Sequence, residues 1–173
     1  MIVLLGDSCS GKSTIEKQLG LNKIVSYTTR SIRKNETDHV DYHFISKDNY
    51  IDLLNNGFFA EYTCYNGWYY AIAKEDCLDN SVAVVEPVGF RQLKKLSYLN
   101  ITSFYLKVEE RERVTRMMRR GDNVMESFRR VISDQGLFSG VENEVDYVIG
   151  NPDGQLAIAI LNIREILRQR HII

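Results

Sequence analysis

Near the amino terminus the residues Gly6-Asp7-Ser8-Cys9-Ser10-Gly11-Lys12-Ser13-Thr14 have the spacing of a phosphate-binding loop, G-x-x-x-x-G-K-[ST]. Two glycines permit the tight path that aims successive backbone N–H groups inward, and a helix starting at Lys12 adds partial positive charge there. Lys12 is then placed to reach the β- and γ-phosphates of a nucleoside triphosphate, and Ser13 to offer its hydroxyl to Mg2+. Such a loop fixes the phosphate-binding chemistry but not the reaction, because motors, GTPases, ATPases and small-molecule kinases share it.

A second group of residues narrows the choice. In Ser26-Tyr27-Thr28-Thr29-Arg30-Ser31-Ile32-Arg33, two guanidinium groups stand close to several hydroxyls, and Tyr42 and Phe44 follow shortly after. Arginines with neighbouring hydroxyls trap a phosphate through charge-assisted, often bidentate bonds. Further along, Arg113, Arg116 and Arg120 recur at i, i+3 and i+7, which puts them on one basic helical face. Taken alone, that face reads equally well as a solvated surface.

The elements that must position these groups follow from the apolar runs. Ile2–Leu5, Lys23–Ser26, Val82–Glu86, Ile101–Lys107 and Asp146–Ile149 read as buried strands. Lys12–Leu19, Val88–Leu96, Glu109–Arg120, Met125–Phe138 and Gly154–Arg170 read as the helices between and after them. This alternation predicts an α/β fold with a five-stranded parallel sheet flanked by helices. In the last helix Leu156, Ile160, Ile163 and Leu167 form one apolar stripe suited to the core. Residues 35–72 interrupt the alternation: Ser46 caps a short helix that stops near Gly57, and the runs Phe58–Cys64 and Trp68–Ala73 flank an Asn66-Gly67 hairpin turn.

Composition excludes several partners. The 173 residues carry a formal charge of −1 with both signs spread along the chain, which argues against nucleic-acid binding. The first apolar run ends at Gly6, too soon for a signal peptide, and no run approaches membrane-spanning length. Cys9, Cys64 and Cys77 suggest neither a disulfide framework nor a zinc site, which fits a cytoplasmic setting. The sequence carries no signal for an oligomeric state.

With these residues in view, the chain resembles the guanylate kinase family. That family follows its phosphate loop with S-x-T-T-R-x-x-R-x-G-E-x-x-G-x-D-Y-x-F, and this chain has Ser26, Thr28, Thr29, Arg30, Arg33, Glu36, Asp41, Tyr42 and Phe44 in register. The likeness continues through Glu61 in FFAEY, Tyr70 in NGWYYA, Arg119-Arg120-Gly121 and the DYVIGN segment that ends at Asn151. It implies a P-loop kinase fold with a core of residues 1–34, 73–110 and 139–173, a partly β acceptor-binding insertion at 35–72 and a helical lid at 111–138. It also implies transfer of a phosphoryl group from Mg-ATP to a nucleoside monophosphate, most simply GMP.

On that resemblance Gly6 to Thr14 and Asn151 bind ATP, while Lys12, Arg116, Arg120 and Arg130 serve the transfer. Ser26, Arg30, Arg33, Glu36, Tyr42 and Tyr70 hold the acceptor's phosphate end. Glu61, which alone would read as a surface charge, accepts hydrogen bonds from the N1–H and 2-amino group of guanine. Ser13 and Glu86 are the candidates to hold or orient Mg2+. Departures stand beside these matches. Ile72 occupies the acceptor-site position where the family has a small hydroxyl residue against guanine O6, and Val84 replaces an acidic residue of the third core strand. Asn35 and His39 replace glycines of the signature. These departures keep open a kinase of the same fold acting on another phosphorylated nucleotide or sugar, and a catalytically silent module used for interaction.

Overall fold

A computed structural model describes residues 1–34, 36–65 and 67–173. Strand β1 (Ile2–Leu5) runs into the phosphate loop and helix α1 (Lys12–Leu19). Strand β2 (Asn22–Lys23) is short, and the chain then leaves the first sheet to form β3 (Tyr27–Thr28) and β4 (His43–Phe44) of a second. Helix α2 (Lys47–Asn55) and strands β5 (Phe59–Tyr65) and β6 (Trp68–Ala73) complete that second unit. The remaining elements are β7 (Ser81–Val84), α3 (Pro87–Leu93), β8 (Thr102–Lys107), α4 (Glu110–Arg120), α5 (Val124–Leu137), β9 (Tyr147–Gly150) and α6 (Leu156–Gln169).

The main sheet has the order β2-β7-β1-β8-β9 with every pairing parallel, as the alternation of elements predicts. Its faces are divided by the two-residue period of the strands. Ile2 and Leu4 pack with Phe104 and Leu106 against Ile15 and Leu19 of α1 and the Ile160, Ile163 and Leu167 stripe of α6. Val3 and Leu5 face the other way, onto Tyr105, Ala83, Val85, Phe90 and Leu93. All four residues of β1 have no exposed surface, and each such side chain contributes roughly 1.5–3 kcal/mol. The phosphate loop therefore rises from a wholly buried central strand, at the carboxyl end of the sheet where open α/β folds bind ligands.

The second sheet has the order β4-β3-β6-β5 and is anchored by Tyr50 of α2, whose ring stacks on Phe59 and on Tyr69 at 5.1 Å each. Ser46 caps α2, its hydroxyl accepting from the Asn49 N–H at 3.1 Å. Tyr65 pairs with Trp68 across the expected hairpin turn, where Gly67 has φ 76°; Asn66 lies outside the described residues, as does Asn35. The expected strand Lys23–Ser26 is the one element that departs clearly. Only Asn22–Lys23 joins the main sheet, and Ile24 adds one further bond to Val82 before the chain crosses over. The second sheet thus begins at Tyr27, ahead of residue 35 where the sequence pattern breaks. Among the described residues no helix is long and apolar enough to cross a membrane.

Candidate functional site

The phosphate loop closes around a cleft of about 420 Å3 lined by Cys9, Ser10, Gly11, Lys12, Ser13 and Thr14 on one side and by Arg116, Arg120 and Asn151 on the other. Gly11 is required at its position twice over. Its φ is 99°, and a Cβ there would stand 2.5 Å from the Asn151 amide nitrogen, which itself donates to the Ser10 carbonyl at 2.8 Å. Cys9 also takes a left-handed backbone, φ 61°, so the loop bends at a residue whose type gave no sign of it. The Lys12 ammonium lies inside the loop, donating to the carbonyls of Gly6 and, at 2.9 Å, of Asp7. Burial lowers its pKa, against the upward pull of Glu86, Asp134 and Asp7.

Three of the expected loop residues do not line this cleft. Gly6 and Asp7 form its buried base, and Ser8 turns toward the second cleft. The reason is a buried ion network. Arg113 sits between Asp7, at 3.4 Å, and Asp134 of α5, at 3.1 Å. Asp134 also accepts from the Ser8 backbone N–H at 2.8 Å, and Asp7 from the Tyr105 hydroxyl. Arg113 is thus removed from the basic face expected to carry it with Arg116 and Arg120: it is 4% exposed and staples α4 and α5 to the loop. Removing one partner of a buried ion pair strands the other, so Arg113→Ala is expected to cost about 3–5 kcal/mol of stability. Chemical denaturation checks this, and a loss below about 1 kcal/mol would contradict the buried network.

A second cleft opens on the other side of Lys12. Arg30 and Arg33 line it together with Ser8, Tyr70, Glu86 and Arg130. Arg30 is fixed from both ends. Its two terminal nitrogens donate to the Glu36 carboxylate at 2.9 and 2.8 Å, and its guanidinium lies 5.3 Å from the Tyr42 ring and 5.6 Å from that of Phe44. Glu36 also accepts from the Arg33 N–H at 2.9 Å. Expected beside the acceptor phosphate, Glu36 instead spends its carboxylate holding Arg30, since two anions would not share a contact. His39, which replaces a glycine of the family signature, adopts the left-handed φ of 61° that a glycine would adopt freely.

Adjoining this cleft is a narrower pocket lined by Ser26, Tyr42, Glu61, Thr63, Tyr65, Tyr70, Val84, Val85 and Glu86. Far from being a surface charge, Glu61 is 4% exposed, and its Oε2 has no hydrogen-bond partner among the described residues. Burial, helped by the Glu86 charge, pushes its carboxyl up to about 8. Ile72 does not line the pocket. It pairs with Glu61 across the β5–β6 register but is wholly buried in the core with Val85 and Phe90, because an apolar branched side chain gains more there than beside polar groups. Val84 does line the pocket, where it offers no polar atom. Glu86 also lines it, and lies on this side of Lys12 rather than in the cleft that contains Ser13.

The arginines of α4 and α5 divide between the clefts. Arg116 and Arg120 face the phosphate loop: Arg116 donates to the carbonyls of Cys9, at 3.1 Å, and Asn151, at 2.7 Å. Arg130 faces the second cleft beside Arg129. Each has an internal carboxylate partner in this state. Asp153 pairs with Arg116 and Arg119, Asp122 with Arg120 and Arg130, and Glu126 with Arg129 and Arg130. Hydrogen bonds from Arg129, with those from Arg130, hold Glu126 down to about 2. The result is two anion-seeking clefts, one built on a helix start and containing Lys12, the other leading into the pocket of Glu61, whose Oε2 has no partner among the described residues.

Along almost its whole length the chain is similar to known proteins. The family profile described as Guanylate kinase matches residues 1–170. A guanylate kinase of Aliivibrio fischeri is 30% identical, the alignment covering 97% of this chain and 86% of that protein. One of Vibrio vulnificus is 31% identical over 83% of this chain and 72% of its own length. Among solved structures, guanylate kinase from Anaplasma phagocytophilum superposes with a TM-score of 0.76 at 24% identity, covering 98% of this chain and 85% of that one, a likeness of fold.

Proposed function

The chain belongs to the guanylate kinase family, and on that premise we propose that it transfers the γ-phosphoryl group of ATP to the phosphate of GMP, giving ADP and GDP. The observation that carries this reading is Glu61, buried in the narrower pocket that adjoins the second cleft, whose Oε2 has no hydrogen-bond partner among the described residues. A carboxylate has only acceptors to offer, and the N1–H and 2-amino edge of guanine presents two donors. The neighbouring Arg30, Arg33, Tyr42 and Tyr70 then take the monophosphate, with Ser26 contributing its hydroxyl and Glu36 acting through Arg30.

ATP occupies the phosphate-loop cleft, held by the backbone of Cys9 to Thr14, by Lys12 and by Asn151. Ser13 fits a role in holding Mg2+: it stands in this cleft at the start of α1 with no side-chain hydrogen bond among the described residues, and Mg2+ takes most of its oxygens from phosphates and water. Bound there with ATP, the ion would neutralise and align the β- and γ-phosphate oxygens. We assign Glu86 to the acceptor side instead. Because the acceptor monoester, with a second pKa near 6, is already mostly dianionic at neutral pH, no general base is needed. The obstacle is repulsion between two polyanions, which Lys12, Arg116, Arg120 and Arg130 offset while holding them in line. Closure of α4 and α5 over the clefts excludes water that would otherwise take the phosphoryl group. We place the reaction in the cytoplasm, where ATP, GMP and reduced thiols such as Cys9, Cys64 and Cys77 coexist.

An acceptor screen by coupled ADP release tests the reading. GMP should be turned over at least about a hundredfold faster than AMP, UMP, CMP or sugar phosphates, the discrimination a site built on paired hydrogen bonds supports. Equal, poor turnover of all of them would overturn it.

The proton on Glu61 gives a second, independent check. Guanine's two donors require the ionised carboxylate, whereas the empty pocket holds the group at about 8. Binding therefore expels a proton below that pH. Affinity is halved near pH 8 and falls further as pH drops, so the apparent Kd for GMP should rise about eightfold between pH 8.5 and pH 7, a window above the phosphate's own titration and below loss of the guanine N1–H. Calorimetry in buffers of different ionisation enthalpy should record close to one proton released at pH 7, and a pH-independent Kd would contradict this.

A further inference from the structure

Ile72 leaves a gap in the recognition of the base. The residue directly opposite Glu61 on β6 is apolar and has no exposed surface, so β6 places no hydrogen-bonding side chain beside the reading carboxylate. Val84 and Val85 form an apolar wall of the same pocket. The polar groups that remain have other partners or other tasks. Tyr70 also lines the second cleft with Arg30 and Arg33, Ser26 and Tyr42 also line a cleft with Arg33 and Glu36, the Tyr65 hydroxyl is tied to Arg129 of α5, and Glu86, whose Oε2 has no partner among the described residues, is an acceptor like Glu61 once ionised.

Thr63 is different. It lies two residues beyond Glu61 on β5, so the two side chains share one face of the strand, about 7 Å apart along it, and both line the pocket. Thr63 pairs with Tyr70 in the register, which sets it between the carboxylate and the phosphate clamp. It is half-buried, and its hydroxyl makes no hydrogen bond among the described residues. A hydroxyl can donate, which neither Glu61 nor Glu86 can do once ionised. The 6-oxygen of guanine is the acceptor that flanks the donor edge taken by Glu61.

We infer that Thr63 donates to the 6-oxygen of the acceptor base, replacing from β5 the hydroxyl that position 72 of β6 lacks. This rests on the guanine reading of the pocket. Together Glu61 and Thr63 match an acceptor, donor and donor sequence along the 6-oxo, N1–H and 2-amino edge; because a hydroxyl can also accept, rejection of a 6-amino purine falls to Glu61, to which the bare N1 of that base offers no donor.

The test compares Thr63→Val, nearly isosteric but without the hydroxyl, and Thr63→Ser, which restores it, using GMP and 6-thio-GMP. Sulfur keeps the N1–H and 2-amino donors intact while accepting hydrogen bonds weakly. Thr63→Val should raise KM for GMP about tenfold, leave kcat within about twofold, and leave KM for 6-thio-GMP nearly unchanged. Thr63→Ser should restore KM for GMP. An unchanged KM for GMP in Thr63→Val, or an equal rise for both nucleotides, overturns the assignment. If the unmodified protein turns over no GMP, the proposed function fails and this inference fails with it; normal GMP turnover with an indifferent Thr63 sinks the inference alone.

Discussion

Lys12→Ala should lower kcat for phosphoryl transfer by about 10³, while KM for GMP changes only a few-fold. The ammonium is held inside the loop by the Gly6 and Asp7 carbonyls, in the cleft to which the proposed function assigns the ATP phosphates. Charge develops there between donor and acceptor as the phosphoryl group moves, and a fixed cation in a water-poor cleft stabilises it most at that moment. A thousandfold loss corresponds to about 4 kcal/mol of transition-state stabilisation, which is reasonable for a whole charge. Stability should not follow activity down. Burial lowers the Lys12 pKa, so its ionised form works against folding in the empty protein, and the variant should melt no earlier. Steady-state kinetics with a thermal melt separate the two effects; a loss below about tenfold would remove Lys12 from the transfer step.

Gly89→Ala should raise KM for GMP about a hundredfold without unfolding the protein. A Cβ at Gly89 would stand 2.1 Å from Glu61 Oε2 and 2.9 Å from its carboxyl carbon, so the carboxylate must leave the place from which it reads the base. Each hydrogen bond to a charged group is worth about 1.5–3 kcal/mol, and losing most of two gives the stated change. The usual effect of the substitution on α3 runs the other way, since alanine favours a helix over glycine by about 1 kcal/mol. A poorer KM together with an equal or higher melting temperature is therefore the signature expected. Unchanged KM would show that Glu61 does not read the acceptor from its present position.

The route from sequence to site was direct where one local pattern sufficed. Gly6 to Thr14 carries its geometry in its spacing, the α6 stripe in its period, and the Arg30 cluster in its density of donors. What was not legible depends on partners distant in the chain. Arg113 has the helical spacing of a surface face, and only the arrival of Asp7 from the loop and Asp134 from α5 buries it. Glu61 looks like an exposed charge until the missing side chain of Gly89 makes room for it under α3. Two-residue strands such as β3 and β4 carry no periodic signal, so the second sheet's start at Tyr27 was hidden. A single threonine on a strand is ordinary, so the signal that Thr63 carries is its two-residue spacing from Glu61.

The central claim is that the phosphoryl group passes between the two clefts to GMP rather than to water. Incubating the protein with ATP labelled at its γ-phosphate, Mg2+ and GMP, and resolving the products, tests it most directly. The label is expected in the β-phosphate of GDP, one equivalent for each ADP formed. Label found only in inorganic phosphate, with GMP unchanged, would contradict it.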